Sequence, residues 1–437
     1  MANLYHQQNK NTINIITMGC PKNRVDSEQL ATQLIANGFE VVHESTVNET
    51  ITMVNTCGFI ASAKEESINA VLSCVNAKKK GKIKTLIVFG CLSERYKEDI
   101  KKEIPEVDAV FGVNEVPDIL SYLHSQVDNA LLDKRLISTP KHYAYLKISE
   151  GCSHRCSFCA IPYIRGKQIS KQIDAIIKEA QLLVNQGIKE IILVAQDLTD
   201  YGSDLPNKPK LSALLEQLSL IDNLQWLRLH YAYPNTFDMK ILDVIASNSN
   251  ICKYLDMPIQ HINNEILKAM NRKITSDEIV ALLDKIKQKI PDIALRTSLI
   301  VGFPNETQKH FEELIDFVQA GWFDRLGVFT YSKEENTPAF LLPDNVSQRQ
   351  KQKRQAQLMD VQYEISLKKN EQKKSQILKV LIDELSDNQY IGRTEFDAPE
   401  IDNTVLIETN QKLNVGEFYN VKITNTEAFD LQGVVVK

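Results

Sequence analysis

Three cysteines fall within eight positions of this chain. Cys152, Cys156 and Cys159 lie in "EGCSHRCSFCAIPYIRG" (150–166), spaced C-x3-C-x2-C. Three thiolates at this spacing can point at one centre. A closed zinc site needs a fourth ligand, usually from a second C-x2-C or a His pair. Neither follows. His154 sits inside the loop that would already wrap the metal, so it makes a poor fourth ligand. Soft thiolates equally suit an iron–sulfur cluster. A four-iron cluster on three cysteines leaves one iron open, and an open iron can bind a substrate or cofactor directly.

A second set is scattered. Cys20 in "ITMGCPKN", Cys57 in "VNTCGFI" and Cys91 in "VFGCLSER" each follow a short apolar run that reads as a strand. The carboxyl ends of parallel strands share one edge of a sheet, where open α/β sheets bind ligands. Three thiolates gathered there make another three-ligand site. Gly19, Pro21, Gly58 and Gly90 beside them leave room for a bulky group. The plain alternative is three buried cysteines, a common fate for this residue. Cys74 and Cys252 lack the strand-end placement and read as core.

The elements that must position these residues are visible as periodic runs. Residues 1–125 alternate apolar strands ("INIITM", "TITMVNT", "TLIVFG", "DAVFGV") with helical patterns, which predicts a five-stranded, doubly wound parallel sheet. Residues 126–142 read as a linker. Over 143–345 at least six βα units follow, from "AYLKIS" (144–149) to "RLGVFTY" (325–331), which predicts a full or partial (βα) barrel. The C-x3-C-x2-C stretch then follows the first barrel strand, the end at which barrel active sites lie.

Residues 346–374 read as one connecting helix with eight Lys/Arg and three Asp/Glu. A solvated helix is the simpler reading, and a basic face for RNA the competing one. Residues 375–437 alternate like a small antiparallel β-barrel. From Gln376 onward this segment holds five Lys/Arg and eleven Asp/Glu, a net charge of −6. Such a surface repels phosphate and suits a basic partner.

The N-terminal "MANLYHQQNKNT" has no apolar core of a secretory signal, and no run of about 18 apolar residues spans a membrane. A cytoplasmic protein is expected, with no membrane partner. Eight cysteines there favour metal or catalytic roles over disulfides.

With Phe158 before its last cysteine, the motif resembles the radical S-adenosylmethionine (SAM) enzymes. Their open iron chelates SAM, and one electron cleaves it to methionine and a deoxyadenosyl radical. Two three-cysteine sites, a barrel and a TRAM-like β-barrel in this order resemble the methylthiotransferases over essentially the whole chain. The segments "MGCPKNRVDSE", "VNTCGFI", "SEGCSHRCSFCAIP", "RLHYAYP", "YLDMPIQH" and "GVFTYSKEENTPA" are similar to the group acting on an aspartate β-carbon of small-subunit ribosomal protein S-twelve.

The resemblance implies two 4Fe-4S clusters, on Cys152, Cys156 and Cys159 and on Cys20, Cys57 and Cys91. It also implies SAM as cofactor and methylthio transfer to that protein, free or within the ribosomal subunit. An external electron donor such as flavodoxin or ferredoxin is a further expectation. Phe158, Gln196, Arg296 and Gly302 are expected to hold the cofactor, with Arg296 forked on its carboxylate. Gln196, Asp197, His230, Tyr231, Gln260 and His261 also fall at strand ends. In "VGFPNET" Asn305 stands where many members of the family carry Gly. The competing readings are a tRNA adenosine methylthiotransferase and a non-enzymatic iron–sulfur carrier.

Overall fold

The computed structural model describes residues 12–45, 50–131 and 134–436. The polar N-terminal stretch lies outside them, apart from Thr12. The first sheet comprises β1 (Thr12–Thr17), β2 (Glu40–His43), β3 (Ile51–Thr56), β4 (Thr85–Gly90) and β5 (Ala109–Val110). All pairings are parallel, in the order β2-β1-β3-β4-β5. Helices α1 (Pro21–Ala36), α2 (Ala61–Lys79), α3 (Cys91–Glu103) and α4 (Val116–Tyr122) follow β1, β3, β4 and β5. Two apolar clusters, one around Val54, Leu86 and Val88 and one around Ile13, Ile15 and Met53, lie on opposite faces of this sheet. Alternating residues of β3 and β4 thus feed both cores, which is why their sequences are continuously apolar.

The central sheet has six parallel strands in chain order. These are β6 (Tyr143–Lys147), β9 (Glu190–Val194), β10 (Trp226–Leu229), β11 (Ile251–Asp256), β12 (Ala294–Val301) and β13 (Arg325–Thr330). A small pair, β7 (Ser149–Glu150) with β8 (Ile169–Ser170), brackets the cysteine loop. Its hydrogen-bonded order runs from β6 to β13 with no pairing between those two, so the barrel is partial. Outward residues such as Leu146, Leu193 and Leu227 pack under the helices.

The inner face is unusually polar. Glu190, Arg228, His230 and Asp256 are all fully buried. The other two domains close it from opposite ends. From the N-terminal domain, Val25 of α1 packs among Tyr143, Tyr145, Ile192 and Val194. From the C-terminal barrel, Leu381 and Ala398 pack on Trp226, Tyr254 and Ala294.

That C-terminal barrel comprises β14 (Ile377–Ser386), β15 (Gln389–Thr394), β16 (Thr404–Ile407), β17 (Phe418–Thr426) and β18 (Asp430–Val435), closed as β14-β15-β16-β18-β17. The purely antiparallel expectation needs one correction, because β16 and β18 pair in parallel. Five strands cannot alternate in direction around a closed ring, so one parallel pair is obligatory.

Two connecting segments are more firmly anchored than their composition suggests. In 126–142, Arg135 is buried against Glu28 and Glu179, each at 2.8 Å. The connecting helix runs Gln348–Glu371 and buries Lys351, Arg354, Leu358, Gln362, Ser366 and Asn370. That three- to four-residue spacing is one helix face. The face is polar because its partners are polar. Arg354 pairs with Glu306 at 2.8 Å, and Lys351 with Asp344 at 2.8 Å. The helix is therefore solvated on one side only, and part of its basic character serves internal pairs.

Candidate active site

Each cysteine of the scattered set sits just past a strand. β3 ends at Thr56, one residue before Cys57, and β4 ends at Gly90, one residue before Cys91. β1 ends at Thr17, and Cys20 forms the N-cap of α1. Strands β1, β3 and β4 are adjacent and parallel, so the three thiols share one sheet edge. Backbone here must come very close. At Gly19 (φ 89°) an added Cβ would lie 2.6 Å from Cβ of Cys57. At Gly90 (φ 100°) it would lie 2.3 Å from Asn55 Oδ1. No L side chain fits either place.

The second set occupies the loop between β7 and β8, at the mouth of the half-barrel. Cys152 N–H donates to Gly166 O at 3.1 Å, and Cys159 N–H to Cys156 O at 3.1 Å. The guanidinium of Arg272 lies 4.0 Å from the Tyr233 ring centroid, and its Nη1 reaches Cys156 Sγ at 3.8 Å. His154 stacks on Tyr233 at 4.0 Å and bonds Asp197 at 2.7 Å. It is a wall of the site and is directed away from a ligand role.

All eight cysteines are free thiols. Burial pushes Cys91, Cys152 and Cys159 up to about 12. Cys57 is raised as well, by burial and by the neighbouring Cys20. Thiols this disfavoured as anions need cationic compensation to become thiolate ligands. Among the described residues no three His, Cys, Asp or Glu side chains converge closely enough for one metal ion. The donor set of each site is three soft sulfurs, which suits an iron–sulfur cluster that takes each thiolate on a different iron.

A buried charge network joins the two sets. Arg165, past the second set, donates Nε–H to Cys91 Sγ at 3.3 Å and Nη2–H to Asn23 Oδ1 at 2.6 Å. It also pairs with Asp26 and with Glu150, each at 2.9 Å. Lys147 binds the same two acids. Burial alone would raise Glu150, but Lys147 and Arg165 override it and hold the carboxyl well below the usual range. The network was not anticipated. Its signals were present in the residues flanking the cysteines, "CPKNRVD" after Cys20 and "IRG" after Cys159.

A latch holds the domains in register. Glu334, after β13, pairs with Arg95 at 2.7 Å and Lys64 at 2.8 Å. Arg95 also donates to Gly58 O at 2.7 Å, one residue from Cys57.

The other expected residues divide. Gln196 donates to Glu150 at 2.8 Å, so it stands at the mouth. Phe158 packs against Ile266, Met270, Phe303 and Tyr331. Gly302 N–H donates to Glu306 at 2.6 Å, and the Lys351 stem lies over it. Asn305 does adopt the left-handed conformation, φ 66°.

Arg296 faces Asp256, the last residue of β11, in register. It lies three residues into β12, in register with Arg325, the first residue of β13. Asp256 holds it at 3.1 Å and Asp402 at 3.3 Å. In this structure its guanidinium is engaged by these two carboxylates, the second of them from the C-terminal barrel. His230 and His261 are fully buried and held well below the usual histidine range, first by burial and then by nearby cationic or histidine neighbours. His261 falls to about 3. Both are neutral near pH 7.

The family model described as the radical SAM superfamily matches residues 146–318. One described as uncharacterized protein family UPF0004 matches 12–112, and one described as a TRAM domain matches 376–436. Among solved structures the fold is similar to a radical SAM methyltransferase, TsrM, from Kitasatospora setae. The TM-score is 0.53 at 13% identity, over 75% of this chain and 77% of that one. Fold and motif together define a radical SAM enzyme.

The curated relatives are more specific. A ribosomal protein uS12 methylthiotransferase RimO from Cytophaga hutchinsonii is 48% identical over 98% of this chain and 98% of its own. One from Flavobacterium johnsoniae is 49% identical over 97% and 98%. One from Porphyromonas gingivalis is 46% identical over 98% and 99%. This chain belongs to the ribosomal protein uS12 methylthiotransferase family.

Proposed function

We propose that this protein inserts a methylthio group at the β-carbon of an aspartate in ribosomal protein uS12. Near-full-length identity of 46–49% to proteins of that activity carries the substrate. Two three-thiol sites bridged by Arg165 support the chemistry. The cofactors are SAM and 4Fe-4S clusters. Cys152, Cys156 and Cys159 hold the radical-generating cluster, and Cys20, Cys57 and Cys91 the auxiliary one. Bound there, the clusters supply the electron that cleaves SAM and the sulfur that is transferred.

The chain's own residues set the geometry. Arg165 ties the sheet edge carrying Cys91 to the loop carrying Cys152, so the two sites keep a fixed separation. Glu150, held ionised, anchors Arg165, Lys147 and Gln196. Phe158 and its apolar neighbours line one side of the cysteine loop and exclude water there, which protects reactive species from quenching. Gln196, Phe158 and Gly302 remain the cofactor contacts we favour.

Five regions carry these roles: 1–125 the auxiliary site, 126–142 the strap, 143–345 the SAM barrel, 346–374 the helix and 375–437 the TRAM-like barrel. An external low-potential donor, flavodoxin or ferredoxin, supplies electrons. No helix among the described residues is long and apolar enough to cross a membrane. A ribosomal substrate places the work in the cytoplasm.

The acidic C-terminal barrel is a weaker argument for a basic partner than its net charge suggested. Asp383, Asp397 and Asp402 pair internally with Arg393, Arg325 and Arg296. Six acids (Glu384, Asp387, Glu400, Glu408, Glu417 and Glu427) stay exposed against Lys379, Lys412 and Lys422. The exposed surface still carries the sign that attracts a ribosomal protein and repels tRNA.

The test is reconstitution. Anaerobically loaded protein, given SAM, a reductant, sulfide and uS12, should add one methylthio group to uS12 and none to tRNA. Modification of tRNA alone would refute the assignment.

A further inference from the structure

Lys22 is a cation without a carboxylate. It lies two residues past Cys20, in the first turn of α1, and retains 9% exposure. Among the described residues no hydrogen bond or ion pair reaches its ammonium. Its one direct partner is an aromatic face: Nζ lies 3.8 Å from the centroid of Tyr231. The nearby acids are engaged elsewhere. Asp26 and Glu150 are each bound by both Lys147 and Arg165. Two acids thus face two cations, and Lys22 has no carboxylate of its own. A cation held against an aromatic face with no carboxylate beside it can still take an anion.

Three further observations converge on the same place. The 16-residue α1 begins here with no acidic residue in its first turn and no side-chain cap, so its positive end is uncompensated. Tyr231, which carries Lys22, is held at φ 70°. That conformation is strained for an aromatic residue and marks an imposed position. Finally, Lys22 follows Cys20 by two residues, and its ring partner Tyr231 lies just past the end of β10 in the barrel that carries the second set.

We propose that Lys22 binds the side-chain carboxylate of the substrate aspartate. This rests on the functional reading above. In aspartate the β-carbon is bonded directly to the carboxylate. Fixing the carboxylate between the two sites therefore fixes the carbon that must meet both. It also selects aspartate over residues that lack the charge, because a neutral side chain would leave the ammonium uncompensated.

The experiment compares cluster-loaded wild type, Lys22→Met and Lys22→Arg on uS12 and on uS12 with its target Asp replaced by Asn. Wild type should prefer the aspartate substrate about ten- to a hundredfold in kcat/KM, the range of a charge-assisted hydrogen bond. Lys22→Met should bring that ratio close to one, chiefly through KM for uS12, with iron content unchanged. Lys22→Arg, which keeps the charge, should retain most of the preference. An undiminished ratio in Lys22→Met overturns the proposal. So does loss of iron, which would make Lys22 a counter-charge for the auxiliary site. A shift confined to KM for SAM overturns it too, since the bound carboxylate would then be the cofactor's. Failure of wild type to modify uS12 is a separate result and overturns the functional reading together with this one.

Discussion

Arg165 donates to the sulfur of Cys91 across the junction of two domains, at 3.3 Å. The contact joins the end of the C-x3-C-x2-C segment to the sheet edge that carries the other thiols. Its remaining donors hold Asn23, Asp26 and Glu150.

Replacing Arg165 by Leu should therefore damage both sites. Asp26 and Glu150 would lose a buried partner, and breaking such a pair costs about 3–5 kcal/mol. We expect a melting temperature lower by several degrees and reduced iron at both sites. Calorimetry and iron analysis check this. Unchanged stability would show that Lys147 alone satisfies the two acids.

Removing single thiols should separate the two sites. The wild type should bind about eight iron atoms per chain. Cys20→Ala and Cys156→Ala should each bind about half as many, and neither should form product. They differ in SAM cleavage, which Cys20→Ala should retain and Cys156→Ala should lose. Product formed by Cys20→Ala would refute the role of the auxiliary set.

Stability should fall in two stages on acidification. His43, His230 and His261 are held below the usual histidine value, chiefly by burial. The unfolded chain binds protons at these groups first, so stability declines as pH falls below about 6.5. Glu190, Asp383 and Asp397 form the second stage. Burial opposes their ionisation, but Arg393, Arg228 and Arg325 hold them below the usual range. Their contribution is present above about pH 4 and is lost as pH falls through the folded values. Asp256 and Glu306, raised by burial, act in the opposite sense: they add stability as pH falls through their folded values toward about 4, and so offset part of the first stage. Melting temperatures from pH 8 to 3 check the order, and a flat profile between pH 7 and 5 would contradict it.

What the sequence made legible follows from what each pattern depends on. The scattered thiols were readable because strand ends are marked locally, by the apolar runs before Cys20, Cys57 and Cys91. The half-barrel was readable for the same reason. The pairing of Arg296 with Asp402 of the C-terminal barrel was not legible, because the two are remote in sequence. Arg135 and Arg354 look solvated in composition, yet each is buried by acids remote in sequence, Glu28 and Glu306. Such pairing is set by tertiary contact and leaves no local periodicity. The charge of the C-terminal barrel misled in the same way. Asp397 and Asp402 count toward its acidity but lie inside the molecule, closing the floor of the barrel beside it.

The central claim is the identity of the substrate, and mass spectrometry of cells lacking this protein tests it most directly. Ribosomal protein uS12 should lose the methylthio mass from its aspartate while tRNA nucleosides stay unchanged, and complementation should restore it. Intact modification of uS12 with loss of a methylthiolated tRNA nucleoside would contradict the account.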